Sequence, residues 1–181
     1  SVLDGRWEVA PFRGYEVSGK TLGILGYGRL GSKVARIARA LQMEVIAFDT
    51  KPRRLASGAR RAVDMQEVLH NADVLTLHLP LNDETIGILG GAEIAAMRPG
   101  AVLINTARGA LLDTAALLAA LRSGHISGAA LDVLDNEHGI VEHGHPLIDY
   151  ARENENILIT PHIGGASYES VERTDLFIFN R

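Results

Sequence analysis

Three side chains suited to proton transfer and anion binding each follow an apolar run. Arg108 follows Ala101-Val-Leu-Ile-Asn105, Glu137 follows Gly128-Ala-Ala-Leu-Asp-Val-Leu134, and His162 follows Ile157-Leu-Ile-Thr160. If these runs are strands of one parallel sheet, all three residues stand on the rim formed by the strands' carboxyl ends, where open α/β sheets bind ligands. A guanidinium can grip a carboxylate through two parallel hydrogen bonds and polarise a carbonyl beside it. An imidazolium can deliver a proton to the carbonyl oxygen. A carboxylate on the far ring nitrogen would hold the tautomer and favour the protonated ring. This kit suits hydride transfer to or from a carbonyl carbon, provided that the same rim also holds a hydride carrier.

The stretch from Thr21 to Asp49 supplies a place for one. It reads as a buried strand, then Gly26-Tyr27-Gly28-Arg29-Leu30-Gly31, a helical run to Leu41, a second buried strand Val45-Ile-Ala-Phe48, and Asp49. A lone G-x-G-x-x-G is weak, but this one follows a strand, opens a helix and has its acidic residue at the distance dinucleotide binding requires. Gly26 allows the tight turn, Gly28 lets the backbone approach a pyrophosphate, and Gly31 lets helix and strand pack closely. The helix N-terminus offers free amides to phosphate. Asp49 suits the ribose hydroxyls of NAD and would repel the 2'-phosphate of NADP, although Lys51, Arg53 and Arg54 just beyond it would soften that preference. Tyr27 and Phe48 read as packing residues.

Each candidate also has a plainer reading. An arginine after a strand is usually a solvated charge, and a glutamate in a polar loop is weaker still as a site. His162 is better supported, since Pro161 fixes the chain before it and Gly164-Gly165 leave bare backbone after it. Asp132, an acid within an apolar strand, needs a partner. It is either a capped structural acid or a group under the nicotinamide or against Arg108. His138, His143 and His145 lack the fixed-face spacing of metal ligands, so no metal site is expected. His70, His78 and His125 read as structural.

The remaining chain must position these residues. Leu30, Val34, Ile37 and Leu41 recur at helical spacing and predict the face that covers the sheet, with Lys33, Arg36 and Arg39 opposite. A loop over residues 52–60, a short strand at Ala62-Val63, a helix from Met65 to Asn71 and a strand from Asp73 to Leu79 stopped by Pro80 come next. Then follow a helix from Ala92 to Met97, the strand ending at Asn105, and a helix from Thr114 to Ser123 capped by Asp113 and stopped by Gly124. The strand at 128–134, a long polar loop, the strand at 157–160 and a tail helix within 167–180 complete the order. This alternation predicts a doubly wound, mostly parallel sheet of the Rossmann type with helices on both faces. Residues 1–20 show no clean period and read as a segment packing on something else.

At 181 residues and 46% hydrophobic content, one well-cored domain is possible and two would be cramped. The net charge of −4, with no basic face, argues against nucleic acid as a partner. Without cysteine there are no disulfides or thiolate metal sites. No apolar run reaches membrane-spanning length and no signal peptide is visible, so a cytoplasmic protein is expected. Since the first residue is Ser1, the native start is expected upstream.

Gly19-Lys-Thr-Leu-Gly-Ile-Leu-Gly-Tyr-Gly-Arg-Leu-Gly31, His78-Leu-Pro-Leu81, Pro99-Gly-Ala-Val-Leu-Ile-Asn-Thr-Ala-Arg-Gly109, Gly128-Ala-Ala-Leu-Asp-Val133 and Thr160-Pro-His-Ile-Gly-Gly165 resemble, in order and across nearly the whole chain, the D-isomer-specific 2-hydroxyacid dehydrogenases. The likeness is greatest to the branch of phosphoglycerate dehydrogenase and hydroxypyruvate or glyoxylate reductase. The resemblance implies Arg108 as substrate-binding arginine, His162 as acid/base and Glu137 as its partner, acting on a 2-oxoacid or D-2-hydroxyacid. It implies NAD contacts from the glycine turn, Arg29, Leu30, Asp49, Leu79, Pro80, Thr106, Ala107, Arg108, Asp132, His162, Gly164 and Gly165. Glu137 argues against the formate dehydrogenase branch, which has glutamine there. His138 departs from the proline common in the family, and the loop from His138 to Asn156 is somewhat long.

The family has a second, flavodoxin-like substrate domain. This chain is expected to be the cofactor domain alone, with 1–18 and 167–181 as joining segments, and a homodimer is expected. Such a domain would bind NAD yet turn over little substrate. A nucleotide-sensing corepressor of the same superfamily and a phosphite dehydrogenase remain alternatives.

Overall fold

A computed structural model describes residues 2–51, 55 and 58–179; Arg53 and Arg54 lie outside the described residues, as does much of the predicted loop over 52–60. Seven strands, β1 (Thr21–Leu25), β2 (Glu44–Phe48), β3 (Ala59–Arg61), β4 (Val74–Leu77), β5 (Ala101–Asn105), β6 (Ile126–Leu131) and β7 (Ile157–Ile159), form one sheet in the order β3-β2-β1-β4-β5-β6-β7. Every pairing is parallel, so the sheet is wholly rather than mostly parallel. All carboxyl ends therefore share one edge. The chain runs outward from β1 to β3 and then, from β4, in the other direction, which leaves a crevice between β1 and β4 on that edge.

The helices are α1 (Arg29–Ala40), α2 (Met65–Asn71), α3 (Gly91–Ala96), α4 (Thr114–Ser123), α5 (Ile140–His143), α6 (Pro146–Ala151) and α7 (Tyr168–Phe179). Asp113 caps α4 by accepting from the Ala116 amide, and Gly124 ends it at φ 73°. Asp64 caps α2 in the same way. The short strand lies at Ala59–Arg61, not at Ala62-Val63: Ala62 is buried in the core beyond it, while Val63 is exposed and serves the α2 entry. β6 starts at Ile126 and stops at Leu131, so Asp132, Val133 and Leu134 form the buried start of the next loop. That loop, predicted as irregular, contains α5 and α6.

Of the predicted covering face of α1, only Val34 packs against the core, and Leu30, Ile37 and Leu41 are exposed. The helix's buried residues are Gly31, Ala35 and Ala38, whereas Leu30 and Ile37 are 64% and 62% exposed. A Cβ built on Gly31 would lie 2.1 Å from the Gly26 carbonyl oxygen, so only small residues let the helix sit this close to β1. Register shows how the two faces of the sheet are covered. Leu75, Leu103, Ala129 and Ile157 form a row buried throughout beneath the layer of α2, α3, α4 and α6. The opposite row of Ile24, Thr76, Ile104, Ala130 and Leu158 is buried under α1 at one end and exposed at Leu158. Leu3, Trp7, Phe12 and Tyr15 of the segment before β1 are exposed.

Candidate functional site

The glycine turn joins β1 to α1. Gly26 has φ 92°, and a Cβ there would lie 2.6 Å from the His78 carbonyl oxygen, so the turn lies directly against the end of β4. Nothing lies within 4 Å of a Cβ built on Gly28. That open space borders the first amides of α1, which no side chain caps. The arrangement offers unfilled donors and a positive helix end to an anion. Tyr27 is buried among Leu22, Ile24 and Ala35 and acts in packing, while Arg29 and Leu30 are exposed on the first turn of α1. Asp49, just past β2, accepts from the Tyr27 amide at 2.8 Å and from the Lys51 amide at 2.8 Å.

A cleft of about 450 Å³ runs from this turn past Asp49 to His78, Leu79 and Pro80. His78 was assigned a structural role from sequence, but it follows β4 as Arg108 follows β5 and it lines this cleft. Burial lowers its pKa, and its Nε2 lies 3.2 Å from the Thr76 hydroxyl. The rule that picked out Arg108, a polar residue ending a strand, would also have found it.

The other half of the rim is built from side-chain hydrogen bonds. Asn105, fully buried at the end of β5, donates to the Arg108 carbonyl at 2.8 Å and accepts from the Ala107 amide at 3.0 Å. It closes the turn that exposes Thr106 and Arg108. Sequence reading took Asn105 only as a strand end; a buried amide after four apolar residues was the available signal. The Arg108 guanidinium donates to the Ala107 carbonyl, and no carboxylate lies within ion-pair reach among the described residues.

His162 Nδ1 donates to Glu137 Oε2 at 2.8 Å, and Glu137 Oε1 accepts from the Leu134 amide at 3.3 Å. An ionised carboxylate can only accept, so the ring proton of the neutral imidazole sits on Nδ1 and Nε2 is left as the acceptor. His162 has φ 54°, an uncommon conformation for a side chain of its kind. Asp132 holds it there. Its carboxylate accepts from the Thr160 hydroxyl at 2.5 Å, the Ile163 amide at 2.9 Å and the Gly164 amide at 2.8 Å, and its backbone carbonyl takes the His162 amide at 2.9 Å. Burial opposes ionisation of Asp132, but the Thr160 hydroxyl and the two amides outweigh it and keep its pKa below the usual carboxylate range. Its hydrogen bonds go to the turn that carries His162 rather than to Arg108. Gly164 and Gly165 are exposed on the same turn.

The structure therefore joins Glu137, His162 and Asp132 directly. Arg108 reaches the same edge through topology, with no bond to the pair. Among the described residues no group of three His, Asp or Glu is placed to hold a metal, and His145 is instead bonded to Asp135. No helix of the described residues is long and apolar enough to cross a membrane.

A parallel sheet in this order, with a glycine turn on an uncapped helix and an acid after β2, defines a dinucleotide-binding domain. A sequence profile for the D-isomer specific 2-hydroxyacid dehydrogenase NAD-binding domain matches residues 1–164. The chain belongs to that family. It is 42% identical over 158 residues to a glycerate dehydrogenase of Methylorubrum extorquens, covering 87% of this chain and 47% of that protein. It is 38% identical over 173 residues to a D-3-phosphoglycerate dehydrogenase of Archaeoglobus fulgidus, covering 94% of this chain and 32% of that one. An NAD-complexed D-isomer specific 2-hydroxyacid dehydrogenase from Lactobacillus delbrueckii ssp. bulgaricus superposes with a TM-score of 0.86 at 31% identity, over 97% of this chain and 56% of the other. The chain thus spans about half the length of these relatives or less. NAD is the cofactor of this domain, and the open ground at Gly28, the uncapped α1 amides and Asp49 fit it.

Proposed function

We propose that this chain supplies the cofactor half and the proton-transfer half of an enzyme that interconverts a 2-oxoacid and a D-2-hydroxyacid. The observation that carries the reading is the His162 Nδ1–Glu137 bond of 2.8 Å on the same sheet edge as the glycine cradle. Bound NADH supplies the hydride, and NAD accepts it in the reverse direction. Nε2 of His162, opposite the nitrogen committed to Glu137, gives its proton to the carbonyl oxygen on reduction and takes one from the hydroxyl on oxidation. Glu137 balances the imidazolium charge while it exists. Arg108, free of any carboxylate among the described residues, binds the substrate carboxylate through paired hydrogen bonds and orients the carbonyl toward Nε2. Asp132 and Asn105 hold the turns that carry His162 and Arg108.

Support for a 2-oxoacid comes from this pairing of a cation with an acid/base, and from relatives named for glycerate, glyoxylate and phosphoglycerate. The test is NADH oxidation, followed at 340 nm, by the full-length protein with glyoxylate, hydroxypyruvate and other 2-oxoacids. Turnover with one of them is expected. If none is reduced while NADH changes binding to another protein, the corepressor reading replaces this one. Phosphite-dependent NAD reduction would point to the third. The 181-residue chain alone is expected to bind NADH but to turn over little, and a rate equal to that of the full-length enzyme would overturn that expectation.

A further inference from the structure

Asp135 takes no part in the reaction above, yet it joins three segments around Glu137. Its Oδ1 accepts from the Thr114 hydroxyl at 2.5 Å and from His145 Nε2 at 2.8 Å. His145 Nδ1 accepts the Leu147 amide at 3.2 Å and so caps α6. A ring that accepts at Nδ1 must carry its proton at Nε2, so His145 donates to Asp135, and with its side chain 5% exposed it is locked in that tautomer. Thr114 opens α4, directly after the loop that carries Arg108. Within that loop, a Cβ on Gly109 would lie 1.9 Å from the Leu134 carbonyl carbon, so the Arg108 and Glu137 loops touch backbone to backbone. Leu134, in turn, donates its amide to the Glu137 carboxylate.

We propose that Asp135 is a positioning residue: bonded to Thr114 and His145, it fixes the loop on which Glu137 meets His162 and locks that loop to the one bearing Arg108. This rests on the acid/base roles proposed above. Two residues after Asp135, Glu137 begins a single 3-10 turn behind Asn136, whose φ is 52°. Between the end of β6 and this turn no strand or α-helix holds the chain, so the hydrogen-bonded anchor at Asp135 helps determine where the carboxylate lies. Burial opposes ionisation of Asp135, but the Thr114 hydroxyl and the His145 ring outweigh it and lower its pKa. The anchor therefore stays charged at neutral pH.

The experiment reads the His162 tautomer by nitrogen NMR of the chain labelled at histidine, at a pH where the ring is neutral and with no cofactor or substrate. In the wild type the proton is expected on Nδ1, and Glu137→Ala should move it to Nε2. Asp135→Ala is expected to shift the population at least halfway to the Glu137→Ala value, and Thr114→Val to shift it less but in the same direction. Thr114→Ser, which keeps the hydroxyl, should match the wild type. A folded Asp135→Ala protein with lower thermal stability and an unmoved tautomer overturns the proposal. If Asp135→Ala does not fold, an unmoved tautomer in Thr114→Val overturns it instead. An Nε2–H ring at His162 in the unsubstituted chain sinks the acid/base pairing itself, a failure distinct from that of the brace.

Discussion

The two halves of the rim are built by different means. On β1 and β2 the cofactor cradle is mostly backbone: two glycines where a Cβ would meet main-chain atoms, one over open space, and a run of uncapped amides. On β5 to β7 the site is a set of side chains held by other side chains, with Asn105 closing its own turn, Asp132 holding the turn of His162 and Asp135 joining Thr114 to His145. In the proposed function, the cradle grips a part that is always the same, so it can be rigid backbone. The other half would place a proton and a cation to within hydrogen-bond tolerance of a reacting group, and that takes side chains supported by further hydrogen bonds. If this contrast is right, substitutions should separate by half: those near the cradle change cofactor affinity, and those opposite change turnover.

The largest separation is expected at His162. His162→Gln removes the proposed acid/base and should lower kcat of the full-length protein by roughly a thousandfold, within the range for general acid–base catalysis. NADH affinity by titration should stay at the wild-type value. A parallel loss of affinity would mean that the two halves are not separable.

Asp132→Ala comes next, because it strands the Thr160 hydroxyl and the Ile163 and Gly164 amides beneath a residue at positive φ. A loss of about 3 kcal/mol in urea unfolding is expected for several broken bonds to a charged acceptor. The pH dependence has a definite sign. The folded pKa of Asp132 is lowered, so between the folded and unfolded values the unfolded state binds more protons and stability rises with pH. The wild-type advantage should be complete above the unfolded value of about 3.9 and shrink as pH falls through the lowered folded value. An advantage that grew on acidification would contradict the assignment.

This contrast also explains what could be read from the sequence. The cradle was legible because its requirement is local: Gly26, Gly28 and Gly31 lie within six positions of one another, and each is needed where a Cβ cannot go or where open backbone is useful. The caps at Asp113 and Gly124 were legible for the same reason. Arg108, Glu137 and His162 could be placed on one edge because alternating elements imply a parallel sheet. Their bonds could not be read, since Asp132 meets Gly164 across 32 positions and Asp135 meets Thr114 across 21. The α1 face was misjudged because hydrophobic spacing records where large apolar side chains lie. Burial here follows the small ones, Gly31, Ala35 and Ala38, and leaves Leu30 and Ile37 outside.

Gly31→Ala tests the cradle through shape alone. With a Cβ at 2.1 Å from the Gly26 oxygen, α1 must move away from the turn. The expected cost is about 2 kcal/mol in stability, as for other overpacked sites, together with weaker NADH binding. The His162–Glu137 bond should persist, seen as an unchanged His162 tautomer. A changed tautomer would show that strain crosses the sheet from one half to the other.

The smallest effect is expected at Asp49, where a side chain serves the backbone half. Its carboxylate already takes the Tyr27 and Lys51 amides, so it stitches the glycine turn to the end of β2, and in the proposed cofactor site its charge would meet the ribose. Asp49→Asn keeps an oxygen for only one of the two backbone amides, turns its amide nitrogen toward the other, and removes the charge. The turn keeps one of its two hydrogen bonds, and stability should fall by about 1 kcal/mol. NADH, which loses a charged acceptor for its hydroxyls, should bind about tenfold more weakly, equivalent to about 1.4 kcal/mol and at the low end for hydrogen bonds to a charged group. NADPH, relieved of repulsion, should bind more tightly than it does to the wild type, so that the ratio of the two affinities narrows from both sides. Paired titrations of the chain with NADH and NADPH measure that ratio. If both affinities fell together, Asp49 would act only through the turn, and the cradle would be backbone in its specificity as well as its shape.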